Sequence, residues 1–237
     1  MKIIKTEGIL LNKVDFGEGD RIVKIFTKDY GKLSILLKGI KKSKKREKFA
    51  SDLLNVSYVT LLKKDNRDLD ICNDISLKRT FNIKDNFWKI NIFFYIAIFL
   101  DKYTEENDKN IVLYNRAIKT FNYIEKEENK EKILISISYF LFMVIKEEGY
   151  EFCINEGNIF DIENSVIGSK ISANYKRISN IEKNYINLLN KVDINAIYKL
   201  KLSIMEILDI ISILELYIVY HLNLNIKKIK NLIREDM

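Results

Sequence analysis

The feature that most narrows what this chain can fold into is a change of hydrophobic rhythm near residue 82. Before it, short β-branched and leucine-rich runs are separated by clusters of Gly, Asn and Asp. After it, apolar residues recur at helical spacing over stretches too long for strands. A strand-built first third followed by a helix-built remainder makes an α+β chain with its strands and helices segregated.

The strand-like runs fall at residues 2–14, 21–27, 32–38, 53–62 and 69–77. Gly8, inside the first run, marks a bend or bulge. Asp15–Asp20 reads as a turn, and Thr27–Gly31 as a hairpin turn with Gly31 at positive φ. Five strands with glycine bends and no long helix, in about 80 residues, predict a small β-barrel, with the OB type as the choice. Residues 1–81 are therefore expected to form the barrel. Residues 82–237 are expected to form an α-helical domain with an irregular or short-stranded insert at about 150–175. Within it, Phe87–Leu100 is apolar on nearly every side and should be deeply buried. Val112–Ile124, Ile133–Ile145 (stopped by Gly149), 179–190 and 195–222 read as further helices, followed by a short basic segment at Lys227–Arg234.

Composition excludes several classes. Cys72 and Cys153 stand far apart and neither belongs to a C-x-x-C pair, so no disulfide framework or zinc site is expected, and a reducing compartment is the simplest reading. The charged N-terminus is unlike a signal peptide. No apolar run reaches the roughly 18 residues of a membrane span. A cytoplasmic, cofactor-free protein is expected. Trp88, Phe93, Phe94 and Phe99 read as core rather than as a cofactor box. His221 has no partner His or Cys nearby and reads as buried or capping. The glutamates of 125–131 and 147–151 lie among lysines as a solvated face, and Gly17–Asp20 lacks the context of a P-loop. No constellation points to an enzyme.

The net charge is +7, in a chain rich in Ile, Asn and Lys and without proline. A composition bias would spread the lysines evenly, and they are not spread evenly. Residues 1–81 carry 19 Lys and Arg against 11 Asp and Glu, whereas the rest is net −1. A single-sign excess on one small domain points to a polyanionic partner. It culminates at the exit of the third strand, where Lys38, Lys41, Lys42, Lys44, Lys45 and Arg46 surround Gly39, which lets a phosphate backbone approach closely. Arg21 and Lys24 extend this surface, although Arg21 could equally pair with Glu18 or Asp20. Tyr30, Phe49 and Tyr58 are available to stack on bases. At this point each ring serves packing as readily as stacking, and Phe26 belongs to the core.

The stretch E-x-D-R-I-V-x-x-F-T-x-x-x-G-K from Glu18 to Lys32, with K-G-x-K-K-S-K at Lys38–Lys44, resembles the RecO family of recombination mediators. Gly149-Tyr150-x-x-Cys153 and His221-Leu222 before a basic segment continue the likeness more weakly. The resemblance implies a non-enzymatic protein that binds single- and double-stranded DNA and anneals complementary strands. It further implies action with RecR, binding of the acidic C-terminal tail of single-strand-binding protein (SSB), and assistance to RecA loading. Lys38 and Lys42 match the family's basic positions. A pocket for such a tail needs apolar walls and a cationic rim, and Tyr217, Tyr220, Leu222, Lys227, Lys228 and Lys230 supply both types; a plain amphipathic helix fits them too. Many members hold zinc on two C-x-x-C pairs. Here Cys153 is followed by Glu156 and the second pair is absent, so no metal is expected. An RNA- or ribosome-associated OB protein and a pure protein adaptor stand as the alternative readings.

Overall fold

Each apolar run of the first third becomes a strand, in a computed structural model that describes residues 2–44, 47–63, 69–83, 86–170 and 172–233. The strands are β1 (Lys2–Phe16), β2 (Asp20–Thr27), β3 (Gly31–Leu37), β4 (Val56–Lys63) and β5 (Asp70–Arg79). They close into a barrel in the order β1-β2-β3-β5-β4, with β4 returning to β1. Every pairing is antiparallel except β3 with β5. This is the five-stranded arrangement of an OB-type barrel. Its interior is filled by inward-facing Ile4, Leu10, Val23, Ile25, Leu33, Ile35, Val59, Leu61 and Ile75.

The long β1 closes the barrel by serving two neighbours. Its first half pairs with β4 and its second half with β2, and the exchange falls at Gly8 and Ile9. A Cβ on Gly8 would lie 2.5 Å from the Ile25 side chain and 2.8 Å from the Phe26 carbonyl oxygen. Gly8 thus allows the close approach that the changeover needs, while the register slips a little later, between Leu10 and Asn12. At the hairpin, Gly31 has φ 70°. The Thr27 hydroxyl donates to its carbonyl oxygen and accepts from the Tyr30 N–H.

The first of two compact units, Met1–Glu125, joins this barrel to α1 (Phe87–Tyr103) and to most of α2 (Ile111–Lys126). Asn86 caps α1 by accepting from the Lys89 N–H. The all-round apolar composition of α1 is matched by burial of Trp88, Ile92, Phe93, Tyr95, Ile96 and Phe99; Phe94 is half-buried and Phe87 is exposed. Phe93 packs between Phe81 and Phe121, with ring centroids 5.2 and 4.5 Å away. At its other end Asp101 receives Lys24 at 3.3 Å and Lys32 at 3.6 Å from the barrel.

The second unit, Lys126–Met237, begins with α3 (Lys130–Glu147), which stops at Gly149 with φ 84°. The insert is a small sheet of β6 (Cys153–Ile154), β7 (Ile159–Asp161), β8 (Val166–Gly168) and β9 (Tyr175–Arg177), in the order β6-β8-β7-β9. Then follow α4 (Asn180–Asn190), α5 (Ile194–Lys199), α6 (Ile204–Leu222) and α7 (Ile229–Ile233). The single helix expected over 195–222 is two. Lys201 takes φ 49°, and a capping box of Ser203 and Glu206 restarts the chain as α6. The carboxylate of Glu215, fully buried, accepts from the Ile229 N–H at 2.8 Å and so anchors the short α7.

Candidate nucleic-acid interface

The cationic loop begins where β3 ends. Lys38 is exposed, and Gly39 turns the chain with φ 64° into a 3-10 turn over Ile40–Lys42. Ile40 is buried and pins the turn to the barrel core. The Gly39 N–H donates to Asp20 Oδ1 at 2.7 Å, and the Lys41 N–H to the Gly19 carbonyl at 3.0 Å. The glycine-started lysine run is therefore held at its root by the end of the β1–β2 turn. Lys44 is exposed beyond it; Lys45 and Arg46 lie outside the described residues.

The cations do not all present themselves alike. Lys42 reaches Glu18 at 2.9 Å with both side chains well exposed. Such a pair contributes at most about 1 kcal/mol and exchanges readily for another anion. Lys41 lies 3.2 Å from Asp15. Arg21, only 15% exposed, donates to Asp15 at 2.9 Å and to Ser51 Oγ at 2.8 Å, and sits 3.5 Å from Asp52. Neither Glu18 nor Asp20 is its partner. Lys13 completes the series at 2.6 Å from Asp52. The chain Lys13–Asp52–Arg21–Asp15–Lys41 alternates in sign and holds three cations to two carboxylates. Hydrogen bonds from Arg21 and Lys41 hold the Asp15 carboxyl below its ordinary value. Lys24 faces Asp101 instead and belongs to the α1 contact.

Phe26 is core as expected, and the three candidate stacking rings differ in exposure. Tyr30 is half-buried with the Lys63 ammonium 5.8 Å from its ring. Tyr58 is exposed on the barrel wall beneath Lys78, 5.3 Å away. Phe49 is 51% exposed, on a 3-10 turn over Lys48–Ser51 that directly follows the basic loop.

In the second unit the candidate partner surface comes apart. Tyr217 is 1% exposed, enclosed by Tyr150, Phe152, Phe160 and His221, and contributes no surface. Burial raises its phenol pKa, partly offset by a hydrogen bond with Ser165. His221 is half-buried, its Nε2 2.7 Å from the Ile162 carbonyl oxygen. Tyr220, Lys227 and Lys228 are exposed, Leu222 is half-buried, and Lys230 pairs with Asp209. The fold adds one residue that the sequence reading missed. Burial holds the Lys176 ammonium of β9 below its ordinary pKa, Glu182 and Asp209 oppose the shift, and Lys230 and Lys228 add to it. Lys176 thus feels the charges of Lys228 and Lys230, and no local signal in Tyr175-Lys176-Arg177 could announce this.

A zinc centre does not fit the insert. Cys153 and Glu156 are both exposed, and among the described residues no three His, Cys, Asp or Glu side chains converge. The turn between β6 and β7 is instead clasped by the Lys183 ammonium, which donates to the carbonyls of Asn155 and Gly157 at 2.8 Å each. Nor is any helix among the described residues long and apolar enough to cross a membrane.

Comparison with known proteins agrees with this architecture. The family model for the recombination protein O N terminal matches residues 1–81, and that for its C terminal matches residues 88–230. A DNA repair protein RecO from Halalkalibacterium halodurans is 24% identical over 147 residues, covering 61% of this chain and 57% of the relative. Another, from Thermoanaerobacter, is 35% identical over 115 residues, 48% and 46% of the two chains. A third, from Rhodopirellula baltica, is 30% identical over 129 residues, 54% and 48%. The chain spans about half the length of the curated relatives it matches. With only residues 82–87 and 231–237 outside the two matches, this chain belongs to the RecO family.

Proposed function

We propose that this chain is a DNA-binding mediator of recombinational repair that works without making or breaking covalent bonds. The observation that carries the reading is the cationic exit of β3, fixed at its root to an OB-type barrel, in a chain whose relatives are named DNA repair proteins. Phosphates of a DNA strand displace exposed carboxylates such as Glu18 from Lys42, and the counterions they shed drive binding. Arg21 positions the surface through its contacts to Asp15, Asp52 and Ser51, while Lys38, Lys41, Lys42 and Lys44 grip. Two strands neutralised on such a surface lose their mutual repulsion, which favours annealing. In this reading the chain acts on strands coated by SSB, recognises that protein's acidic tail, works with RecR and assists RecA loading.

Annealing of complementary oligonucleotides, bare and coated with cognate SSB, tests the proposal. Wild type is expected to anneal both, and Lys38→Glu/Lys42→Glu to lose about tenfold or more while remaining folded. Failure of the wild type to anneal even bare strands at low salt would overturn it.

A further inference from the structure

We infer that a cavity beside Phe49 receives a nucleobase of a bound single strand. The inference rests on the nucleic-acid reading above and adds a site to it. The cavity has a volume of about 280 Å³ and is lined by Phe49, Leu53, Leu54, Phe81, Ile90 and Phe94, with Asp52, Asn55 and Thr80 as polar groups. An apolar cavity of about 150 Å³ is enough to hold a benzene ring, so a planar base fits.

Phe49 is not an incidental surface residue. Its neighbours Ala50 and Ser51 are fully buried, whereas its own ring is half in solvent. Four hydrogen bonds fix the backbone that carries it. Asn55 Nδ2 donates to the Phe49 carbonyl at 2.7 Å, Ser57 Oγ to the Ala50 carbonyl at 2.6 Å, Ser51 Oγ to the Lys48 carbonyl at 2.6 Å, and the Asp52 N–H to the Phe49 carbonyl at 3.0 Å. A ring that is held rigidly outward has already lost its ordering entropy, as a stacking platform requires.

The charges around it select the occupant. Asp52, on the cavity wall, is the first carboxylate of the alternating chain that ends at Lys41 in the loop. That chain has one cation in excess, and Lys48 is exposed next to Phe49. A strand whose phosphates run from Lys41 towards Lys13 and Lys48, with Arg21 holding the carboxylates between them, would bring its bases to the cavity mouth. In a duplex the same bases are paired and stacked, and they cannot enter.

The test compares three probes of about 15 nucleotides: oligothymidine, an abasic strand of equal length, and a duplex. Wild type is expected to bind oligothymidine about tenfold or more tightly than the abasic strand. Phe49→Ala should abolish that difference, Phe49→Trp should restore it, and neither should change duplex binding or its salt dependence. Equal binding of the abasic and thymidine strands overturns the cavity but leaves the electrostatic reading standing. Binding of none of the three at low salt overturns both. If Phe49→Ala leaves the strand preference intact and instead abolishes binding of an acidic, phenylalanine-ended peptide, the cavity belongs to a protein partner and the inference fails.

Discussion

Two regions of this molecule carry the same ingredients, aromatic rings beside lysines, and the fold uses them in opposite ways. In the barrel unit, Phe49 is exposed while Ala50 and Ser51, the next two residues of its turn, are buried and the turn's carbonyls are hydrogen-bonded. In the helical unit, Tyr217 is drawn inward and surrounded by four other rings. The difference lies in what the local backbone can bury. A 3-10 turn of four residues offers a small interior that Ala50 and Ser51 already fill, so the large ring goes out. A helix of 19 residues next to a small sheet has a long apolar face, and its largest ring goes to the centre. Aromatic content near cations therefore identifies a binding surface only where the backbone leaves the ring outside.

The comparison can be broken first on stability. Tyr217→Ala empties a packed aromatic cluster and is expected to cost about 3–5 kcal/mol. Phe49→Ala should stay within about 0.5 kcal/mol. Denaturant unfolding of both variants decides; equal losses would mean that Phe49 is core and not a platform.

A smaller effect separates gripping from positioning. Arg21→Ala removes contacts to two carboxylates and a hydroxyl and should cost about 1 kcal/mol, whereas Lys42→Ala, whose partner is largely exposed, should cost almost nothing. Strand affinity should fall for both. An Arg21 variant as stable as wild type would move that residue from the scaffold to the ligand.

The smallest effect is a pH dependence. The folded pKa of Asp15 is depressed, first by Arg21 and then by Lys41. Its contribution is therefore fully present above the unfolded value of about 3.9 and is lost as pH falls through the lower folded value. Wild type should melt above Asp15→Asn at neutral pH, and the gap should close in acid. A gap that persists below both values would mean that Asp15 acts through its shape and not its charge.

Much of this architecture was legible in the sequence because it depends on neighbours along the chain. Short β-branched and leucine-rich runs between turn residues marked the five strands, Gly31 its turn, and the uniform apolar run from Phe87 a buried helix. The Ser203-x-x-Glu206 box that splits the last long helix was also written there, but the apolar periodicity on both sides concealed it. The excess of cations in residues 1–81 pointed to the loop after β3.

Local pattern determined where strands, helices and the charged loop lie, since hydrogen-bond periodicity and turn chemistry act over a few residues. Only the tertiary structure decided which charges meet. Asp52 lies 31 residues from Arg21 in the chain and 39 from Lys13, and the packing of the β3–β4 connection onto the barrel makes them one network. Lys24 faces Asp101 for the same reason. Long-range pairing is set by how the core packs, and a side chain's partner, exposure and use follow from that packing.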